Sequence, residues 1–308
     1  MSYLDFDNNF NGRFCEVMSM ARILDGRKIA EDIRNELVQR IKMLKAKGVI
    51  PKLATILVGE DPASLSYIRM IQDAFNAVGV SVELFRFPES ITQKELEREI
   101  MKLNEDETIH GILVQMPLPK HINVIEISQT VDPRKDIDCI NPVNMGLFLL
   151  GSPRFVPCTP SAVCEILKRG GIDIEGKEVV VVGAAGRVGR LITLLLIRNG
   201  ATVTACDIAT RDLARHTREA EILVTAVGKP HLITADMVSE GVVVIDVGVS
   251  RIEDPERPGK FKIVGDVDFD GVKDKAAAIT PVPGGVGPVT TAMLISNMVR
   301  AAEILVID

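Results

Sequence analysis

The segment from residue 178 to residue 198 constrains the fold more than any other. Four consecutive valines, residues 179–182, lead into a turn that contains Gly183, Gly186 and Gly189, and the turn leads into an apolar helical pattern. Glycines at this spacing allow a tight turn, the close approach of a pyrophosphate and close packing of a helix on a strand. The order strand, glycine turn and helix predicts a Rossmann-type unit that binds a dinucleotide.

Asp207, at the end of the next predicted strand, bears on the choice of dinucleotide. It follows the last glycine of the turn by 18 residues, close to the distance at which an acid binds the ribose hydroxyls of adenosine. A carboxylate there would repel a 2′-phosphate, so we predict NAD rather than NADP. The alternatives are a loop acid or a helix cap, and Arg187, Arg190 and Arg211 keep NADP open.

Apolar strand-like runs alternate with helical patterns along the chain, which predicts an α/β protein with parallel sheets and right-handed crossovers. A Pro-rich region, residues 116–160, separates two such units. We therefore predict two α/β lobes with a cleft between them. The predicted division is a leader at 1–20, a first domain at 21–157 plus 289–308, and a Rossmann domain at 158–288.

Composition excludes several classes of function. The net charge of −6 and the isoelectric point near 5.4 argue against nucleic acid or an anionic membrane as a partner. Five scattered cysteines and four isolated histidines form neither a disulfide framework nor a metal-binding spacing. Residues 1–20 have no basic start and no apolar core, so they are not a signal peptide. No apolar run approaches the length of a membrane span, and we expect a cytoplasmic protein without a metal.

A second feature is the loop Pro281–Pro288, in which three prolines and three glycines fill six of eight positions. Proline restricts φ and glycine permits close approach to the backbone. A helical pattern is predicted to start at Thr290, so the loop precedes a helix N-terminus, where N–H groups lack partners. We predict a rigid backbone wall for a ligand; the alternative is an ordinary turn that enters a helix.

Several motifs together are more specific than a Rossmann turn. Besides the loop, they are Leu57–Ser64 with Tyr67, Gly111–Pro119, Lys135–Asp138, Pro157–Pro160, Ala226–Pro230 and Val244–Gly248. This set resembles the bifunctional methylenetetrahydrofolate dehydrogenase/methenyltetrahydrofolate cyclohydrolase family, and the resemblance covers nearly everything from Ala21 onward.

The resemblance implies a homodimeric enzyme of one-carbon metabolism with a folate lobe facing the dinucleotide lobe. Tyr67 would stack near the pterin, and Gln115 and Asp138 would bind or orient it. All three would be catalytic residues. The folate side of the cleft would be lined by Pro283, Gly284 and Gly285. Individually, these residues could be a core tyrosine, a strand-end amide, a surface acid and a plain turn. The predicted cofactor-binding residues are Gly183, Ala184, Ala185, Gly186, Gly189, Asp207 and Val249.

The chain departs from the family pattern at the catalytic lysine. The family has Y-V-x-x-K, whereas this chain has Tyr67-Ile-Arg-Met-Ile71. Met70 and Ala74 share a helical face with Ile71 and carry no charge. Hydride transfer needs mainly positioning, whereas hydrolysis of the methenyl product needs a proton-transfer group. We therefore predict that the dehydrogenase is retained and that the cyclohydrolase is lost or weak.

The cofactor motifs depart as well. The family's G-R-S is Gly183-Ala-Ala185 here, and its H-S pair is Asp207-Ile208, so the residues associated with a 2′-phosphate are missing. Both changes favour NAD. Cys139 replaces a glycine and Asn141 a histidine, which leaves the shape of the pocket open.

Three other interpretations remain at this point. The chain could be a fully bifunctional, NADP-dependent enzyme that makes 10-formyltetrahydrofolate. It could be an oxidoreductase for a modified pterin or another one-carbon carrier. It could also be a non-catalytic folate- or nucleotide-binding paralogue, although retention of the motif set argues against this.

Overall fold

The computed structural model describes residues 21–307, so the predicted leader at 1–20 lies outside the described residues. The predicted α/β class is confirmed: two separate parallel sheets are present, each flanked by helices.

The first part of the chain alternates helices and strands. Its elements are β1 (Arg22–Ile23), α1 (Gly26–Ala46), β2 (Lys52–Val58), α2 (Pro62–Ala77), β3 (Ser81–Phe87), α3 (Gln93–Glu105) and β4 (Gly111–Val114). Strand β2 lies between β3 and β4, and both pairings are parallel. Six of the seven β2 residues are buried, as expected for a central strand covered on both faces.

The segment after β4 extends this sheet beyond its three strands. The N–H of Ile112 donates to the carbonyl of Lys135 at 2.7 Å, and Asp136 forms a parallel bridge with Ile112. This pairing carries Asp138 toward the carboxyl edge of the sheet, where ligand sites of parallel sheets form. Three helices complete the region: α4 (Val124–Thr130), α5 (Pro142–Leu149) and α6 (Cys158–Arg169).

The remaining elements are β5 (Glu178–Val182), α7 (Arg187–Arg198), β6 (Thr202–Cys206), α8 (Leu213–Arg218), β7 (Ile222–Thr225), β8 (Val243–Asp246), β9 (Ser250–Glu253), β10 (Phe261–Val264), α9 (Phe269–Val272), β11 (Ala278–Ile279) and α10 (Val286–Ile307). The second sheet has six parallel strands in the order β1-β11-β8-β7-β5-β6, and β9 and β10 form a separate antiparallel pair. Because β6 and β7 lie on opposite sides of β5, a crevice opens at the carboxyl ends of β5 and β7.

Strand β1 differs from the predicted division of the chain. Residues 22–23, predicted to belong to the first domain, pair with β11 at the edge of the second sheet. A strand of two residues carries no periodicity that could assign it to either sheet. The described part of the chain therefore passes through the second sheet before α1 enters the first lobe.

Helix α10 begins at Val286, four residues before the predicted start at Thr290. Gly287 and Pro288 thus lie in its first turn, where a missing N–H costs no helical hydrogen bond. The helix packs against α1 and α6. Its segment Val286–Val306 is long and apolar enough to cross a membrane, which corrects the expectation from the sequence that no apolar run approaches that length. Of its most apolar window 56% is buried, as in a core helix.

One hydrophobic core connects the two lobes. It contains buried residues of α1, α2, α6 and α10, together with residues of β2 and β4 from the first sheet and of β5, β7 and β8 from the second. Asn297 of α10 adds a polar tie, because its Nδ2 donates to the carbonyls of Ile137 and Val156 at 2.9 Å each. Packing on α10 thereby sets the position of one lobe against the other.

Candidate active site

A cavity of about 760 Å³ lies between the lobes. Helices α1 and α2 line one side, the segments after β7 and β8 line the other, and the loop at 281–288 lies along it. Several residues that the sequence predicted separately line this one cavity: Tyr67, Val249, Pro283, Gly284 and Gly285.

The loop forms its wall with main-chain atoms. Gly284 has a φ of 111°, which favours glycine, and a Cβ on Gly26 would overlap the carbonyl of Gly285. The start of α1 therefore rests directly on the loop backbone. There is no room for a side chain larger than that of glycine at position 26.

Tyr67 lies on α2, which Asp61 caps by accepting from the N–H of Ser64 at 2.8 Å. The tyrosine is 39% exposed, and Met70 and Ala74 line the cavity beside it. Desolvation in the cleft, with Asp138 nearby, raises the pKa of Tyr67 to about 12. The phenol is therefore neutral at physiological pH.

Ile71 does not share the cavity-lining position of its neighbours. Its exposure is 0%, and it packs in the core with Phe75. The predicted apolar face of α2 is thus divided between the cavity, which Met70 and Ala74 line, and the core, where Ile71 lies. The side chain at position 71 therefore lies in the hydrophobic core, out of contact with solvent.

Asp138 lies at the carboxyl edge of the first sheet. Burial raises its pKa to about 6, and the like charge of Asp136 adds to this effect, while Arg187 and Cys158 oppose it. Arg187 is the first residue of α7, so a cation from the second lobe acts on an acid of the first lobe. Neither Asp138 nor Gln115 is among the residues that line the cavity.

Gln115 follows β4 directly. Its main-chain N–H donates to the carbonyl of Ile56 at 2.9 Å, and its side-chain amide donates to the carbonyl of Met116 at 2.6 Å. The structure thus brings Gln115 and Asp138 to the same sheet edge, with the amide turned onto its own backbone.

The two smaller departures from the family pattern have structural roles. Cys139 has a φ of 57°, a conformation that glycine adopts more easily, which agrees with glycine as the family residue. Asn141 is buried, and its side-chain amide donates to the carbonyls of Ser128 and Val131. Asn141 therefore holds the chain that leads into α5.

The turn between β5 and α7 fits a dinucleotide. Gly183 has a φ of 87°, and a Cβ there would overlap the carbonyl of Ala226 after β7. A Cβ on Gly189 would overlap the carbonyl of Gly183, so the helix packs closely on the turn. Ala184 is buried, whereas Ala185 and Gly186 are exposed at the mouth of the turn. The free N–H groups at the start of α7 suit a pyrophosphate.

Asp207 is tied to this turn. Its carboxylate accepts from the N–H of Ala185 at 2.8 Å and from that of Ile208 at 2.7 Å, and these bonds lower its pKa. The guanidinium of Arg190 donates to the carbonyl of Ala185 at 2.6 Å. The outer edge of the turn thus carries a carboxylate that is charged at neutral pH.

Two buried aspartates organise the rest of this edge and were not predicted as site residues. Asp266 accepts from the N–H of Val227 at 2.6 Å and from that of Lys229 at 2.8 Å. Asp246, which lines the cavity, accepts from the N–H of Gly248 at 2.9 Å and from the main chain at 266–267. The segments after β7, β8 and β10 are therefore joined through carboxylates. Asp246 lies in Val244–Gly248, one of the motifs that carry the family resemblance, but nothing in that motif indicates that the acid is buried.

Sequence reasoning also missed Arg27 and Arg34, which line the cavity from α1. The only signal was their spacing of seven residues, which places them on one helical face. Charged residues on a helix usually mark its solvent face, so this spacing alone did not indicate a site.

Comparison with known proteins agrees with this geometry. Residues 24–138 match the tetrahydrofolate dehydrogenase/cyclohydrolase catalytic domain, and residues 157–306 match the NAD(P)-binding domain of the same family. The bifunctional protein FolD of Nautilia profundicola is 51% identical over 281 residues, which cover 91% of this chain and 97% of that protein.

Two solved structures show the same two-lobed fold. The bifunctional enzyme FolD of Campylobacter jejuni has a TM-score of 0.88 and 44% identity, over 92% of this chain and 99% of that one. The dehydrogenase-cyclohydrolase of Trypanosoma brucei, complexed with NADP and an inhibitor, has a TM-score of 0.88 and 40% identity, over 94% and 99%. The predicted family is confirmed: the chain belongs to the tetrahydrofolate dehydrogenase/cyclohydrolase family.

Proposed function

We propose that this chain oxidises 5,10-methylenetetrahydrofolate to 5,10-methenyltetrahydrofolate by hydride transfer to NAD(P). The observation that carries the proposal is the cleft, which sets Tyr67 and the 281–285 loop opposite the segments beside the dinucleotide turn. The family supports both the folate and the dinucleotide. When bound, the nicotinamide supplies the hydride acceptor.

Tyr67 in the cleft, and Asp138 and Gln115 at the neighbouring edge of the first sheet, suit this reaction. The neutral Tyr67 ring offers a stacking surface for the folate. Asp138, with a pKa of about 6, is mostly ionised at neutral pH and can accept from the donor groups of a pterin. Loss of a hydride leaves a cation on the substrate, and a carboxylate in a partly desolvated cleft stabilises that charge. Gln115 would orient the pterin once its amide leaves the Met116 carbonyl.

For the oxidant, two observations favour different dinucleotides. The T. brucei relative is complexed with NADP, which favours NADP. Asp207, a carboxylate at the edge of the turn with a lowered pKa, favours NAD, because it would repel a 2′-phosphate. We propose NAD as the preferred oxidant of this chain, and the ratio of kcat/KM for NAD and NADP tests it. A strong preference for NADP would refute this part of the proposal.

The second activity of the family is hydrolysis of the methenyl product to 10-formyltetrahydrofolate. The names of the relatives, bifunctional proteins at up to 51% identity, favour an enzyme that performs both reactions. Ile71 favours the loss of hydrolysis, because Tyr67, Met70 and Ala74 on the cavity side of α2 provide no amine. We propose that hydrolysis is weak here, with the bifunctional enzyme as the second candidate.

Methenyl hydrolysis by the pure protein distinguishes the two candidates. We expect a rate close to that in buffer for the natural chain and a higher rate for Ile71→Lys, because a lysine stem can leave the core and bring its amine to the cavity. Ile71→Met controls for the altered core. Rapid hydrolysis by the natural chain would establish the bifunctional candidate.

We further propose a homodimer in the cytoplasm, as the family resemblance implies. We also propose a folate-binding domain at 21–157 plus 289–308, apart from β1, which pairs in the second sheet, and a dinucleotide-binding domain at 158–288. The mass in solution, measured by light scattering, tests the dimer. A monomer at all concentrations would contradict it.

A further inference from the structure

Arg187 is a cation of the second lobe that acts on two acids of the first lobe. It is the first residue of α7, it is exposed, and its neighbour Val188 lines the same cavity as Tyr67. Its charge favours the ionised forms of both Asp136 and Asp138. Because the attraction between charges falls with distance and is screened by water, the start of α7 lies close to the sheet edge that carries these acids.

The packing of α6 against α7 accounts for this position. Thr159 and Val188, in the first turns of the two helices, both line the cavity, so the helices start at the same end. The thiol of Cys158, the first residue of α6, donates to the carbonyl of Ile137 at 3.7 Å. The start of α6 is thereby fixed beside residues 137–138, and Arg187 begins the adjacent helix.

The charge of Arg187 is not used elsewhere within residues 21–307, where it makes neither a hydrogen bond nor a salt bridge. Other arginines of α7 are tied to main-chain carbonyls. Arg190 donates to Ala185 at 2.6 Å, and Arg198 donates to Phe148 and Gly151 at 3.3 Å each. Arg187 can therefore act on the acids of the first lobe with its full charge.

Among the groups that act on Asp138 or face it within the described residues, Arg187 is the one cation. Burial and a like charge both disfavour the carboxylate form of Asp138. Ile71 is buried, and the residues of α2 that line the cavity carry no charge. The other titratable groups around Asp138 are neutral or acidic: Tyr67 of α2, Asp136 and Cys139 of its own segment, and Cys158 of α6.

We propose that Arg187 is a positioning residue for folate binding, which acts from the second lobe to hold Asp138 in the carboxylate form that accepts from the pterin. This inference rests on the proposed function. Arginine stays protonated in proteins, so Arg187 supplies a charge but no group that transfers protons. It therefore supports folate binding and hydride transfer without contributing to methenyl hydrolysis.

The pH dependence of folate affinity tests this role. Binding of 5-formyltetrahydrofolate is measured by titration calorimetry without a dinucleotide, at pH values from below to well above 6, for the natural chain, Arg187→Gln and Arg187→Lys. Loss of the cation should move the midpoint for Arg187→Gln to higher pH, on the order of one pH unit. Well above that midpoint its affinity should equal that of the natural chain. Arg187→Lys should restore the natural midpoint.

Two further variants serve as controls. Arg300→Gln removes an exposed arginine of α10 that does not line the cavity, and it should keep the natural midpoint. In an Asp138→Asn background, Arg187→Gln should change neither the affinity nor its pH dependence, because Arg187 acts through Asp138. An unchanged midpoint in Arg187→Gln, or a loss of affinity that persists at high pH, would overturn the inference.

The binding experiment also separates this inference from the proposed function, because it involves no turnover. A midpoint that depends on Arg187 supports its role in binding even if no oxidation is found. Oxidation of 5,10-methylenetetrahydrofolate by the natural chain, together with the same midpoint in Arg187→Gln, would leave the proposed function intact and remove the role of Arg187.

Discussion

At the scale of single residues, the site depends on where charges lie and on which groups surround them. Asp138 receives its raised pKa from burial and from Asp136, and Asp207 its lowered pKa from main-chain N–H groups. Asp138 is thus a partly desolvated acid with a raised pKa, whereas Asp207 is an anion with a lowered pKa at the turn between β5 and α7. Ile71 is buried, and the residues of α2 that line the cavity carry no cation.

The charge of Asp207 leads to a prediction for cofactor choice. Asp207→Asn keeps an oxygen that can accept from the N–H of Ala185 and removes the repulsion of a 2′-phosphate. We expect the ratio of kcat/KM for NADP to that for NAD to rise about tenfold, which corresponds to about 1.4 kcal/mol. Steady-state kinetics with Glu240→Gln, another exposed acid, as the control measures it. An unchanged ratio would show that Asp207 does not determine the cofactor.

The raised pKa of Asp138 predicts how folate binding depends on pH. Affinity for 5-formyltetrahydrofolate should fall as the pH drops below about 6, because the carboxylate becomes protonated. Asp138→Asn should bind more weakly and lose this dependence, which titration calorimetry across that range measures. A natural chain with constant affinity through pH 6 would exclude Asp138 as the carboxylate that binds the pterin.

Protonation of Asp138 at low pH should weaken folate binding, but it should stabilise the folded state. The folded state binds the Asp138 proton more tightly than the unfolded state, whose carboxyl has a pKa near 4. The contribution of Asp138 to the free energy of unfolding is therefore largest below about pH 4 and is lost as the pH rises toward 6. Asp138→Asn should remove this component from a series of urea denaturations.

At the scale of elements, the dinucleotide edge is held together by carboxylates that join segments distant in sequence. Asp266 accepts two main-chain N–H groups of the segment after β7, and Asp246 joins the segments after β8 and β10. The edge should therefore respond as a unit to a change in either acid.

Asp266→Asn tests this arrangement. An amide replaces one accepting oxygen with a donor, which leaves an N–H of Val227 or Lys229 without its partner. We expect a loss of about 1–3 kcal/mol in the free energy of unfolding and a larger rise in KM for the dinucleotide than for the folate. Asp274→Asn, at an exposed position, should change neither. Equal changes in both KM values would show a general loss of structure.

Much of this scale could be predicted from the sequence, and particular residues show where that stops. The four valines and the glycine turn predicted β5 and α7, because periodicity and turn chemistry are local. Strand β1 could not be assigned, because two residues carry no period. The start of α10 was predicted four residues too far along the chain, because Gly287 and Pro288 are unfavourable inside a helix but acceptable in its first turn. The inward position of Ile71 depends on how α2 packs, and the sequence does not contain that rotation.

At the scale of the whole molecule, one core serves two sheets. Buried residues of α1, α6 and α10 share this core with β2 and β4 of the first sheet and with β5, β7 and β8 of the second. The opposite face of each sheet packs in a hydrophobic cluster of its own lobe. Both walls of the cleft therefore rest on the shared core, which fixes the position of one wall relative to the other.

The shared core predicts a single unfolding transition. Hydrogen exchange of the natural chain in low urea should give the same opening free energy for amides in β2 and in β5, since one face of each sheet packs in the shared core and loses that packing when the other lobe unfolds. Asn297→Ala should lower both values together, because its amide ties the two segments that contact α10. Opening of β2 at a much lower free energy than β5 would indicate lobes that unfold independently.

The central claim, that hydride transfer from a one-carbon folate takes place in this cleft, is tested most directly by following reduced nicotinamide by its absorbance. The pure protein is mixed with 5,10-methylenetetrahydrofolate and either NAD or NADP, and formation of the methenyl product is followed in the same sample. We expect reduction that depends on the folate, is faster with NAD, and is accompanied by accumulation of the methenyl product. No reduction with either dinucleotide would contradict hydride transfer in this cleft and would favour a protein that binds folate without turnover.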